Sequence, residues 1–282
     1  MMKSDNIGLW YVLNHSVEQA EQLDNISIPD KQVVYEVIRI IEGVPLFLED
    51  HYFRLKESYT LLGLKLLISE ENLKTQIQKL IKACNQKNCN VKIMVYTDEQ
   101  GQQNCLAYLS KYYYPSKEEI EKGVPVSLVE WEREHPNAKL LNTLYKETVS
   151  KKIAQEKVFE VLLVNSQNKI TEGSRSNVFF VRGKTAFTAP DGYVLKGITR
   201  KFIFEACKKA GVEVIEKLVD TDELDTMEGV FISGTSIKVL PVSSIDGLKY
   251  PSGSHGTIIA VRNEFDRLID EYIGKHQPNS SD

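Results

Sequence analysis

Between residues 158 and 242 the chain repeats one pattern, a short apolar, β-branched run followed by a turn of small polar residues. Val158 to Asn165, Asn177 to Val181, Thr185 to Thr188, Val212 to Glu216, Gly229 to Ile232 and Lys238 to Val242 are such runs. Runs of about 4–8 residues bounded by turn residues suit strands and are too short for buried helices. Helical spacing interrupts them at Thr199 to Ala210 and, briefly, near Thr221 to Thr226. This stretch therefore has to fold as a mixed, β-rich layer whose turns carry the polar chemistry. Three segments stand out: Glu172-Gly173-Ser174-Arg175-Ser176-Asn177, Leu195-Lys196-Gly197-Ile198-Thr199-Arg200 and Ser233-Gly234-Thr235-Ser236.

The first third of the chain reads differently. Val33 to Ile41 is β-branched and ends at Glu42-Gly43-Val44-Pro45, predicting a hairpin that returns through Leu46-Phe47-Leu48. Asp50 is the expected N-cap of a helix that begins at His51 and runs past Leu61, Leu62 and Leu64. Ser69 to Cys84 repeats the helical period, with Leu73, Ile77, Leu80 and Ile81 on one face, and Val91 to Tyr96 pairs with Cys105 to Leu109. Tyr112-Tyr113-Tyr114-Pro115-Ser116 breaks the pattern. The expected organisation is an N-terminal α+β domain over residues 1–111, a linker over 112–116 and a larger C-terminal domain over 117–282, which also contains a strand at Val126 to Val129 and helices at Asn142 to Gln155 and Gly256 to Ile273.

With 282 residues, 42% hydrophobic and 26% charged, and a formal net charge of -4, the chain has the composition of a soluble globular protein with room for two cores. No basic block or stripe points to nucleic acid. The four cysteines, Cys84, Cys89, Cys105 and Cys207, lack metal-ligand spacing, so no metal is expected. Ile7 to Leu13 is too short for a signal segment, and no run of about 20 apolar residues follows. The expectation is a reduced, cytoplasmic protein without a membrane partner.

The three turns suit a phosphorylated ring. Gly197-Ile198-Thr199 opens a helix, and the free N–H groups at a helix N-terminus bind phosphate. Gly234-Thr235-Ser236 offers hydroxyls and backbone N–H groups between two strands, with Thr235 placed for phosphate and Ser236 for a substrate anion. Arg54, three residues after His51, brings a fork that matches phosphate oxygens. Taken alone, each also reads as an ordinary turn or a solvent-facing residue.

Together these motifs resemble the fold-type IV pyridoxal-phosphate (PLP) enzymes, the branched-chain and D-amino acid aminotransferases and aminodeoxychorismate lyase. The resemblance is strongest from residue 136 to 242. It implies an α+β, two-domain fold with a smaller N-terminal domain and a larger, mixed β-rich C-terminal one. It also implies pyridoxal 5′-phosphate as cofactor, bound as a Schiff base to Lys139, which precedes Asn142 as the family's lysine precedes a helix-opening asparagine. By the same resemblance Glu172 is the partner of the pyridine nitrogen, keeping the ring an electron sink. Arg54, Ser176, Asn177, Leu195, Gly197, Ile198, Thr199, Gly234 and Thr235 complete the cofactor-binding set, with Leu195 against the ring. Lys196 stands where a proline is usual, as in D-amino acid aminotransferases of the family.

Tyr35-Glu36-Val37 is similar to the first substrate strand of D-amino acid aminotransferases, but the Arg-x-His that traps the donor carboxylate there is not visible between Val91 and Leu109. Tyr35, Arg39, Lys92 and Ser236 are the candidate substrate-binding residues in its place. The leading reading is an aminotransferase acting between an amino acid and a 2-keto acid, as a homodimer, with Lys139 as the proton shuttle. A lyase releasing pyruvate shares almost every cofactor residue, and a PLP-binding protein without turnover is the third reading.

Overall fold

The computed structural model describes residues 5–29, 32–132, 137, 139 and 143–277, with the backbone alone at 143 and 146. They fall into two compact units, Met1–Tyr113 with Ala138–Leu141 and Ile269–Asp282, and Tyr114–Asn137 with Asn142–Leu268. Asn142, expected to open a helix, lies outside the described residues.

The first unit is built on a six-stranded antiparallel sheet with strand order β2-β1-β6-β5-β3-β4. Its strands are β1 (Asn6–Leu13), β2 (Ser16–Gln19), β3 (Val34–Ile41), β4 (Val44–Pro45), β5 (Cys89–Thr97) and β6 (Gln103–Ser110). Residues alternate between faces along a strand. On β3, Val34, Glu36, Ile38 and Ile40 are buried, while Tyr35, Val37 and Arg39 occupy the other face and are half-buried. Helices α1 (Leu48–Leu61) and α2 (Glu70–Cys84) supply Leu55, Tyr59, Leu73, Ile77 and Leu80 to the core over the first face. Tyr11, Met94, Tyr96, Leu106 and Tyr108 make a second cluster, which Tyr35 joins.

Three local expectations differ from the structure. Ile7 to Leu13, read only as a run too short for export, is most of β1. Leu46 to Leu48 is not a strand: β4 ends at Pro45 and Leu48 already opens α1. The N-cap is Phe47, at a left-handed φ of 53°, and Asp50 lies with Glu49 in the first turn, where a carboxylate favours the positive helix end.

The second unit is a ten-stranded mixed sheet with order β12-β11-β10-β14-β15-β7-β8-β9-β13 and β16 paired to β15. In chain order these are β7 (Val124–Glu130), β8 (Glu160–Val164), β9 (Lys169–Gly173), β10 (Asn177–Arg182), β11 (Thr185–Thr188), β12 (Glu213–Glu216), β13 (Val219–Asp220), β14 (Gly229–Gly234), β15 (Lys238–Ile245) and β16 (Leu248–Lys249). Parallel neighbours need a crossover. Helix α4 (Thr143–Glu156) joins β7 to β8 and α5 (Ile198–Lys209) lies between β11 and β12, while the short α3 (Lys117–Lys122) begins in a Ser116–Glu119 capping box. The last helix is α6 (Gly256–His276). Among the described residues no helix is long and apolar enough to cross a membrane.

The first unit depends on the α2 face, where Ile77 is fully buried between Leu73 and Leu80. Ile77→Ala is expected to lower the unfolding free energy by about 2–5 kcal/mol, read by urea denaturation. A change within about 0.5 kcal/mol would mean that the helix does not seal this core.

Candidate functional site

In the first unit Lys139 is held by its backbone: its carbonyl accepts from the Tyr35 N–H at 3.2 Å and its own N–H donates to Ser58 Oγ at 3.5 Å. Its Nζ stands 4.9 Å from the centroid of the Tyr35 ring, within cation–π range. The structure thus brings together Lys139 and Tyr35. Lys92 approaches the same ring at 5.3 Å, but its ammonium is bonded to Asp5 Oδ2 at 2.6 Å, an oxygen that also accepts from Tyr108 Oη at 3.1 Å. The buried Lys92 charge is therefore balanced within the chain. Arg39, four residues beyond Tyr35, shares its face of β3.

The opposite face of β3 carries a buried charge cluster. Glu36 Oε1 accepts from Arg54 Nε at 2.8 Å and Oε2 from Arg54 Nη2 at 2.5 Å, while His51 Nδ1 lies 2.7 Å from Oε2. His51 and Arg54 come from one turn of α1, so β3 and α1 are joined by a two-pronged pair as well as by apolar packing. Burial alone would raise the Glu36 carboxyl; the Arg54 guanidinium, with help from His51, outweighs it and brings the group down to about 2. Burial pushes the His51 imidazole down, opposed by Glu36 and reinforced by Arg54 and Lys139.

In the second unit Glu172 is not part of a polar hairpin turn but lies buried on β9. Ile170 and Gly173, three residues apart, face Val164 and Leu162, two apart, so one extra residue is accommodated at Thr171–Glu172. Such a bulge re-aims a side chain. Glu172 Oε2 accepts from the Leu195 N–H at 3.0 Å, and the Leu195 carbonyl accepts from Asn177 Nδ2 at 3.0 Å. The two bonds clamp one peptide residue between β9 and β10.

Two residues beyond Leu195, Gly197 caps α5, with no side chain among the described residues bonding the cap. A Cβ there would overlap Asn177 Oδ1. Ile198 and Thr199 follow in the first turn, both buried. Asn177 pairs with Ser233 across β10 and β14, which brings the half-buried Gly234-Thr235-Ser236 turn beside the 174–176 turn; a Cβ on Gly234 would lie 3.6 Å from the Arg175 carbonyl. Glu172, Ser176, Asn177, Leu195, Gly197, Ile198, Thr199, Gly234 and Thr235 thus lie at strand ends, a helix start and the segments beside them in one unit. Arg200, buried, binds Asp191 Oδ1, Glu216 Oε1 and the Ala189 carbonyl.

Sequence reasoning missed three carboxylates. Asp5 and Glu36 neutralise Lys92 and Arg54. Glu160, fully buried at the start of β8, bonds the turn after Glu172. Burial pushes its carboxyl up, against the pull of Arg175. The available signal was a lone acid inside each apolar run, Val33 to Ile41 and Val158 to Asn165.

Among characterised families, amino-transferase class IV matches residues 33–245. D-alanine aminotransferase of Bacillus licheniformis is 32% identical over 238 residues, covering 80% of this chain and 83% of that protein. The crystal structure of the Escherichia coli branched-chain amino acid aminotransferase superposes with a TM-score of 0.81 at 20% identity, covering 97% and 98% of the two chains. The branched-chain aminotransferase of Thermobaculum terrenum, solved in its PLP form, gives 0.79 at 20% identity, covering 97% of each.

The Glu36 cluster makes a pH-dependent prediction. A carboxyl whose pKa is depressed on folding stabilises the fold above its ordinary value and loses that contribution as pH falls through the folded value. Glu36→Gln is expected to cost about 3–5 kcal/mol near neutral pH, the cost of leaving a buried cation unpaired. The difference from the parent protein should narrow as pH falls from 4.5 towards about 2. A difference that stays flat across that window in denaturant titrations would show that the carboxylate is not what Arg54 is paired to.

Proposed function

The chain belongs to the class IV aminotransferases, and from that premise we propose that it moves an amino group between an amino acid and a 2-keto acid with pyridoxal 5′-phosphate, Lys139 being its catalytic lysine. The observation that carries the reading is the bulge-aimed, buried Glu172 tied through Leu195 to the entry of α5. These residues fit that cofactor. A buried carboxylate suits a protonated ring nitrogen, and an open helix N-terminus that tolerates no Cβ at Gly197 suits a phosphate.

When bound, the cofactor supplies an electron sink for the carbon whose C–H bond breaks. Glu172 holds a proton at the ring nitrogen. Lys139 Nζ takes the proton from the donor's α carbon and keeps it for redelivery, a role worth about 10²–10⁴-fold in rate. The N–H groups of Ile198 and Thr199, the Thr235 hydroxyl and Arg54 would hold the phosphate, while Ser176, Asn177 and Gly234 would shape the turns around it and Leu195 would lie against the ring. Tyr35, Arg39 and the backbone at Ser236 would receive the substrate, with Lys92, its charge already balanced by Asp5, against the Tyr35 ring.

The substrate reading follows the Bacillus licheniformis relative, a D-alanine aminotransferase. We read this chain as taking a D-amino acid donor, on the Tyr35-Glu36-Val37 strand. The working form is a cytoplasmic homodimer with the linker at 112–116, without nucleic-acid or membrane partners.

Two measurements test this. Lys139→Ala should keep the fold by circular dichroism yet form no borohydride-stable cofactor adduct; an adduct on another lysine, located by peptide mass spectrometry, would move the assignment. Glu172→Gln should slow conversion of the cofactor by D-alanine alone by roughly 10²–10³-fold with little change in cofactor affinity. Many equivalents of pyruvate per enzyme without a keto acceptor would favour the lyase, since D-alanine alone gives an aminotransferase only one, and faster conversion by L-alanine would reverse the donor's hand.

A further inference from the structure

Glu172 is followed by a tight turn, Gly173–Ser176, and a second buried carboxylate grips that turn from behind. Glu160, on β8 beside β9, is fully buried. Its Oε1 accepts from the Arg175 backbone N–H at 2.7 Å and from Ser174 Oγ at 3.1 Å. The turn is closed by the Gly173 N–H on the Ser176 carbonyl at 2.8 Å and fixed to β8 by the Ser174 N–H on the Val161 carbonyl at 2.9 Å. Residue 173 has room only for glycine: a Cβ there would overlap Ser176 Oγ and stand 2.9 Å from Glu160 Oε1. The Arg175 guanidinium is 3.9 Å from Glu160 Oε2 and exposed, a weak counter-charge for a group with no solvent.

A buried carboxylate with so little compensation is costly to keep. The bonds it makes go to the one turn that separates Glu172 from Asn177, the two residues that clamp Leu195. We infer that Glu160 is a positioning residue for the aminotransferase reaction, anchoring the Gly173–Ser176 turn and thereby fixing the aim of Glu172. The inference rests on Glu172 being the partner of the ring nitrogen. Through the turn, one carboxylate sets the direction of β9's last residues and the start of β10, and a shift of about 1 Å in such a group costs on the order of 10²-fold in rate.

The test uses the holoenzyme reconstituted with cofactor labelled with ¹⁵N at the ring nitrogen. Glu160→Ala is expected to move the ring-nitrogen signal towards that of the deprotonated ring and to slow conversion by D-alanine by about 10²-fold. Glu160→Gln, whose amide oxygen accepts the same two bonds, should restore the signal and most of the rate. A lower Tm with the signal and rate of the parent enzyme would overturn the inference, as would equal losses in Gln and Ala. If Glu160→Ala does not fold, Ser174→Ala removes one of the two bonds that the Glu160 carboxylate accepts while the carboxylate stays in place; an unchanged ring-nitrogen signal there overturns the inference too. Glu172→Gln separates the premises. If it leaves the signal unmoved, the Glu172 assignment fails; if it moves the signal and Glu160→Ala does not, only the role of Glu160 fails.

Discussion

The second unit depends on two hydrogen bonds to a single residue's backbone, Glu172 to the Leu195 N–H and Asn177 to the Leu195 carbonyl. They tie the end of β9 and the start of β10 to the segment that enters α5. Without them nothing in the chain order relates a carboxylate at 172 to a helix N-terminus at 198. With them, a buried acid and an open helix N-terminus hold a fixed spacing. Gly197 completes the arrangement, since only a residue without a side chain lets Asn177 approach.

Three buried carboxylates illustrate how surroundings divide one chemical group into different tasks. Glu36 meets a guanidinium edge-on and stays ionised to about 2. Glu160 meets mostly neutral donors, and burial moves its carboxyl the other way. Glu172 bonds a backbone N–H in the segment that enters α5. The first joins a sheet to a helix, the second braces a turn, and the third holds the segment that enters α5.

Much of this was legible in the sequence because the signals were local. The α2 face showed as Leu73, Ile77 and Leu80 at helical spacing, and Gly197-Ile198-Thr199 showed as a helix start. What stayed hidden depended on partners distant in sequence or on backbone geometry. Glu160 is a lone acid in an apolar run whose partners appear only once the turn after β9 is folded against it. A cap formed by Phe47 at positive φ has no side-chain signature, so the more usual Asp50 was preferred. The bulge at Thr171–Glu172 is visible only once strand registers are known. Lys92 read as a free cation because its partner, Asp5, is 87 positions away.

The clamp engages only the main-chain atoms of Leu195, which separates the identity of that residue from the geometry of the loop. Aliphatic, aromatic or polar side chains at 195 would all present the same N–H and C=O to Glu172 and Asn177. The side chain at 195 can then be changed without disturbing the bonds that Glu172 and Asn177 make to this segment. Proline is the exception, because it has no N–H to donate. The fold thus offers one position where side-chain shape can drift while the placement of a buried acid stays constant.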